Sequence, residues 1–344
     1  MRTLLLIIAA ATVFSGAWAE PKAETLPEGN PPHPLLAEGF GIDHVILAVR
    51  DLEAARSFLR DRLGFKLPPE GVVGKHASGT MNASAYFANQ SYLEVLAVAD
   101  RDLVRHRNAT VLDFLDQGEG LLGFALSTSS APQSAARLEQ LGIPHTEPKP
   151  GSISRPGSTG TAAPKWLTVQ FLPASRLPFF LIQYLDLDYA DIFRNWTAGF
   201  AEASASPYFQ QPNTAIGVSA IWVVVPKVDG ALGTYRHLLG SEGAKVGMPD
   251  LAAEGYAFDI VRQRLYLLQP SMPSGPAATY VAARGSGVMG VSIEVKDLDA
   301  VRSLLRRTDV GAKDALQGPS GRRSLLVPPA EALGAWIEFH AGDR

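Results

Sequence analysis

One stretch of this chain recurs, and the recurrence limits what the chain can fold into. Gly217 to Gly240 tracks Gly41 to Gly64 without a gap, at a constant offset of 176 residues (217 minus 41, 240 minus 64). Val225 then matches Val49, and Leu239-Gly240 matches Leu63-Gly64. Gly287 to Leu305 is another copy, in which Val295-Lys296-Asp297-Leu298 matches Val49-Arg50-Asp51-Leu52. Leu121 to Ile143 is a fourth, with Leu141-Gly142-Ile143 where the first has Leu63-Gly64-Phe65. Copies at such spacing are copies of one supersecondary unit, and the unit has to be read before the fold.

The first copy shows the unit most clearly. Val45, Ile46, Leu47 and Val49 form a short apolar run, the pattern of a buried strand. Asp51 is placed to cap a helix, with Glu53 in its first turn. Ala54, Ala55, Phe58, Leu59 and Leu63 keep the spacing of one apolar helix face, and Gly64 ends it. A short strand around Val72-Val73 and strands at Met81–Phe87 and Tyr92–Val98 complete the unit. Strand candidates follow the other copies: Trp166–Leu172 and Phe179–Leu185, Ala257–Val261 and Arg264–Leu268, Ser324–Val327 and Trp336–His340. The expected fold class is α+β, four βαβββ modules arranged as two paired-module domains. One module leaves an apolar sheet face uncovered, and pairing closes it into a cleft. The expected boundaries are a module pair at 40–188, a connecting segment at 189–213 and a second, degenerate pair at 214–342.

Residues 1–19 are read as a cleavable leader. Met1-Arg2 is a positive start, Leu4 to Phe14 an apolar run, and Ala17-Trp18-Ala19 supplies the small residues before a cut ahead of Glu20. That run is short of the roughly 20 residues a membrane span needs. The expectation is a periplasmic or secreted protein with no stable membrane span after cleavage, joined to its fold by a Pro-, Glu- and Gly-rich linker at 20–39. The chain has no cysteine, which excludes disulfides, thiolate metal ligands and a cysteine nucleophile. A net charge of -3 over 344 residues gives no basic footprint for nucleic acid. No phosphate-binding glycine loop, Gly-x-Ser-x-Gly elbow or His-Glu-x-x-His helix is present.

Several stretches resemble the vicinal oxygen chelate superfamily, and within it the glyoxalase-like domain proteins. They are Ile42-Asp43-His44-Val45-Ile46-Leu47-Ala48-Val49 with Asp51-Leu52, His76-x-x-Gly79-Thr80-x-Asn82, and Tyr92-Leu93-Glu94. Arg155-Pro156-Gly157, Trp166 and Pro178-Phe179-Phe180-Leu181-Ile182-Gln183-Tyr184 extend the likeness through the second module. The resemblance implies a small-molecule cleft and, in the metal-dependent members, one divalent ion held by first-strand and last-strand side chains of paired modules. His44 and Glu94 match those positions. The partner module has Leu122 or Gly123 and Leu181 or Ile182 there, with Gln183 one step off. The second pair has Ala220 and Gly290 on first strands, and about Tyr266 and Glu338 on last strands.

Catalytic metal sites commonly carry three protein ligands. His44 and Glu94 supply two, and Gln183 or His76 are the candidates for a third. His76, Thr80 and Asn82 are the expected substrate-binding residues, with Gly79 allowing an unusual backbone angle. Glu338 and His340, two residues apart on one strand face, are read as part of a buried or rim ion pair. Two functional readings follow. One is an enzyme of lyase, isomerase or dioxygenase type with one divalent metal ion. The other is a metal-free binding or sequestration module, or a scaffold, favoured by the apolar residues at Leu122, Ala220 and Ile182.

Overall fold

Ile42, Val45, Leu47 and Val49 enter one apolar core while His44, Ile46 and Ala48 take the opposite side, so strand β1 (Gly41–Ala48) is buried along its whole length. The computed structural model describes residues 33–69, 73–154, 164–185 and 209–342. The predicted leader, most of the linker, most of the connecting segment, Val72 and Arg155-Pro156-Gly157 lie outside the described residues.

Helix α1 (Leu52–Asp61) starts where expected. The Asp51 carboxylate accepts from the Glu53 and Ala54 backbone N–H groups at 2.9 and 3.0 Å, a cap worth about 1 kcal/mol. Its buried face is Leu52, Ala55 and Leu59, together with Arg56. The chain then reverses at Gly64, where φ is 68° and an added methyl would strike Leu304. Strands β2 (Gly74–His76), β3 (Thr80–Tyr86) and β4 (Tyr92–Val98) complete the module. β4 runs parallel to β1 with Glu94 opposite Ile46, and β3 pairs antiparallel with β4.

Two helices absent from the sequence reading, α2 (Arg101–Arg107) and α3 (Ala109–Asp116), lead to the second module. It comprises β5 (Gly120–Ser127), α4 (Ala131–Gln140), β6 (Lys149–Gly151), β7 (Ile153–Ser154), β8 (Trp166–Gln170) and β9 (Phe179–Tyr184). The third comprises β10 (Ala215–Val224), α5 (Asp229–Leu239), β11 (Ala244–Met248), β12 (Ala253–Ile260) and β13 (Gln263–Pro270). After helix α6 (Pro276–Arg284), also not foreseen, the fourth follows: β14 (Gly287–Val295), α7 (Leu298–Arg307), β15 (Lys313–Ala315), β16 (Ser324–Val327) and β17 (Trp336–Ala341). Asp297 caps α7 as Asp51 caps α1, accepting from the Asp299 and Ala300 N–H groups.

The fold is therefore α+β, with four βαβββ modules in two pairs. Each pair is joined by its first strands, β1 antiparallel to β5 and β10 antiparallel to β14. The resulting sheets have nine strands, in the order β6-β8-β9-β5-β1-β4-β3-β2-β7, and eight strands, β11-β12-β13-β10-β14-β17-β16-β15. Strands β6 and β7 flank Ser152 yet stand at opposite ends of the nine-stranded order, so 149–154 joins the two edges of that sheet. One core takes the outer faces of both sheets and helices α1, α4, α5 and α7, with Val45, Leu47 and Leu93 in the same cluster as Ile221, Val223 and Ile293. Burying each such side chain is worth about 1.5–3 kcal/mol. The inner faces hold separate clusters, and the chemistry lies there. Among the described residues no helix is long and apolar enough to cross a membrane.

Candidate functional site

The ladder between β1 and β5 shifts register between Ile42 and His44, leaving Asp43 as the extra residue. Such bulges re-aim side chains. Here Asp43 Oδ1 stands 2.6 Å from His44 Nδ1. A carboxylate only accepts, so Nδ1 carries the hydrogen and Nε2 is directed elsewhere. Nε2 lies 3.4 Å from Glu94 Oε2. The Tyr184 hydroxyl donates to Asp43 Oδ1 at 3.1 Å and sits 3.2 Å from the Tyr92 hydroxyl. Burial pushes both tyrosine pKa values well up, which keeps them neutral phenols. The His44 ring stacks on Tyr92 at 4.5 Å and meets the edge of Phe180 at 5.6 Å.

Glu94 is reached from three sides. Asn82 Nδ2 donates to its Oε1 at 2.6 Å, and His76 Nε2 stands 3.6 Å from the same oxygen. Burial by itself would raise the Glu94 pKa. The imidazoles of His76 and His44 and the Asn82 amide outweigh that and hold it below the ordinary carboxylate range. Glu94 is thus an anion set between two histidines, with one oxygen toward each.

His76 is held by its own motif. The Gly79 N–H donates to His76 O at 3.0 Å, and Gly79 has φ of 91°. A methyl on Gly79 would press on Asp100 O and Leu103, so glycine lets the turn lie against the start of α2. Gly79 O accepts from the Ala99 and Asp100 N–H groups, and Arg107 Nη1 donates to Ala77 O at 2.9 Å. The clamped turn leaves His76 Nε2 buried and, among the described residues, with no hydrogen bond closer than the 3.6 Å approach to Glu94 Oε1.

A cleft of about 450 Å³ opens on this cluster. His44, His76, Asn82 and Glu94 form one wall, and Trp166, Phe180 and Ile182 another. Arg107 and Lys149 also line it, and Glu94 is the one acid among the lining residues. Thr80 is buried with its hydroxyl 3.2 Å from that of Ser78 and does not line the cleft.

The structure moves some sequence-derived positions. Gln183 does not approach the cluster, because its Oε1 accepts from the Ala131 N–H at 2.8 Å, at the start of α4. Leu181 belongs to the shared core. Ala125 pairs with Phe180 as Ile46 pairs with Glu94, so Phe180 holds the last-strand position in the second module. Gly123, opposite Ile46, holds the first-strand one. A one-residue error on a strand exchanges its faces. Among the described residues Glu338 and His340 form no ion pair with a Lys or Arg. Glu338 accepts from Ser292 Oγ at 2.5 Å and from Ser320 Oγ at 2.8 Å, and His340 Nε2 lies 2.6 Å from Ser219 Oγ. Asp43, Tyr92, Tyr184, Arg107 and Lys149 were not singled out. For Asp43 the available signal was its place beside His44; the others are joined to the site only by the sheet.

Among the described residues no group of three or more His, Asp or Glu stands placed to hold a metal ion.

A family model described as a glyoxalase-like domain matches residues 42–239, which runs from β1 to the end of α5. The chain belongs to the glyoxalase-like domain family. Solved structures share the fold of this glyoxalase-like domain protein. A hypothetical protein from Staphylococcus aureus is 14% identical with a TM-score of 0.57, over 88% of this chain and 98% of that one. A mutant of 4-hydroxymandelate synthase from Streptomyces coelicolor is 16% identical with a TM-score of 0.55, over 92% and 94%. No curated protein matches the sequence.

Proposed function

We propose that the cleft of the first module pair binds a small, flat, anionic molecule through an oxygen placed at His44, His76 and Glu94, and that these three side chains hold one divalent cation. The observation that carries this reading is the buried carboxylate set between two imidazoles. Two imidazoles and a carboxylate are a donor set that suits divalent transition metals and leaves positions for water or substrate. His76 Nε2, buried and 3.6 Å from Glu94 Oε1, fits a ligand role. So does His44, whose Nδ1 is taken by Asp43, the outer-shell arrangement that directs Nε2 toward a metal.

A bound ion would act as a Lewis acid on substrate oxygen and stabilise a developing anion. The chain's own residues do the rest. Asn82 fixes the Glu94 carboxylate. Arg107 and Lys149 favour an anionic group toward their side of the cleft, while Trp166, Phe180 and Ile182 flank a flat apolar body. The reaction class is of the lyase, isomerase or dioxygenase kind. Export rests on the charge and apolar pattern of residues 1–19, and N-terminal sequencing of exported material should read from Glu20 rather than Met1.

The apolar counterparts of the ligand positions, Gly123 and Phe180, favour a second reading: a metal-free binding cleft. Metal content separates the two. Protein from metal-supplemented culture should carry about one ion per chain, lost in both His44→Ala and Glu94→Ala. Sub-stoichiometric metal, unchanged in both variants, would leave the metal-free binder standing, with ligands raising the melting temperature without added metal.

A further inference from the structure

We propose a second small-molecule site, away from the cleft, in the groove between the second module's loops and helix α5. Its ligand is an amphipathic carboxylate, an anion with a short apolar tail. The groove has a volume of about 760 Å³, within the range of small-molecule sites. Leu141, Ile143, Leu177 and Ala231 give it apolar walls. Gly142 and Gly230 keep the space open, since a methyl on either would meet nothing within 4 Å.

Three observations select the ligand. The first is charge: Arg176, Lys227 and His237 line the groove and no Asp or Glu does. Asp229, in the first turn of α5, is exposed and not part of the lining. Among the described residues the Arg176 and Lys227 side chains make no hydrogen bond or ion pair. The second is Tyr235. Its ring is buried, with the rings of Phe179 and Phe258 each 6.3 Å away, and among the described residues its buried hydroxyl has no hydrogen-bond partner. Unpaired buried hydroxyls are costly and rare, and this one belongs to a groove-lining residue. The third is the start of α5, where Val228 provides no side-chain cap and Gln269 Oε1 accepts from the Val228 N–H at 2.8 Å, so that only the remaining first-turn N–H groups have no side-chain cap. Uncapped helix starts favour anions. A carboxylate at Arg176 and Lys227 pairs with both cations and lays its tail along the apolar wall.

Decanoate is the probe, titrated calorimetrically into the full chain. One site per chain is expected, with decanol binding at least about tenfold more weakly. The double charge reversal Arg176→Glu with Lys227→Glu should weaken decanoate about tenfold or more. Gly230→Leu, which fills the groove and keeps its charges, should block binding and covers the case in which charge reversal impairs folding. His44→Ala, in the other cleft, should leave binding intact. Equal affinity for decanol, no effect of Gly230→Leu, loss of binding in His44→Ala, or no decanoate binding at millimolar concentration would each overturn the proposal.

Discussion

The two sheets are built alike and finished differently. At the position of Ile46 in the first, the second carries Trp222, because β1 and β10 keep the constant offset and the same ladder register. The Trp222 ring occupies the space a side chain on Gly290 would need and donates from Nε1 to Ser292 Oγ at 2.9 Å. Ala220 stands where the first sheet has His44, and Tyr266 where it has Glu94. The retained acid, Glu338, spends its carboxylate on Ser292 and Ser320. In the first sheet the acid stands on the other module's last strand, and there Glu94 faces two histidines and an open cleft. A paired-module sheet thus supplies a concave surface, and a few inward positions decide whether it is filled or kept for a ligand.

The comparison can be broken at several places. The largest effect is expected at the plug: Trp222→Ala should cost about 3–5 kcal/mol in denaturant unfolding, and a loss under about 1 kcal/mol would mean the ring is not a packing element. Next comes the open site. Glu94→Gln keeps shape and removes charge, and should lower metal affinity by about 100-fold or more, about 2.7 kcal/mol, with the melting temperature little changed. Titration calorimetry checks the first and differential scanning calorimetry the second.

Smaller still is the outer shell. Asp43→Asn should reduce metal affinity about 10–100-fold. The repeat-related bulge residue Ser219, changed to Ala, should alter stability by about 1 kcal/mol or less and leave metal binding alone. Equal responses at the two bulges would erase the distinction between the sheets.

The smallest effect lies before β1. His33 Nδ1 accepts from the Leu35 and Leu36 N–H groups, and burial lowers its pKa to about 4. Protonation is therefore harder in the folded chain than in the unfolded one, whose histidine titrates near about 6.5. That contribution is present above about 6.5 and lost as pH falls toward about 4. His33→Gln should flatten the loss over that window, read from urea midpoints against pH.

The fold was legible because Gly64 and Gly240 follow the ends of the equivalent helices α1 and α5, and Asp51 and Asp297 cap α1 and α7, all local features. Helices α2, α3 and α6 lie between copies, where the repeat gives no guide. His44 and Glu94 were legible because both belong to the best-kept copy. The partner side was less so, since Leu181, Ile182 and Phe180 are equally apolar and only the ladder tells which faces inward. The plug was hidden for a similar reason. The repeat pointed to Ala220, and the residue that fills the space is its neighbour Trp222, which is ordinary core by sequence. His76 was named without a location, because the turn at Gly79 and its clamp by α2 are tertiary.

Crystals grown with Mn²⁺ and measured for anomalous scattering test the central claim most directly. The account predicts one strong peak per chain among His44 Nε2, His76 Nε2 and the Glu94 carboxylate, and none in the second sheet between Trp222 and Glu338. A peak at Glu338, or no peak in the first cleft under saturating metal, would contradict it.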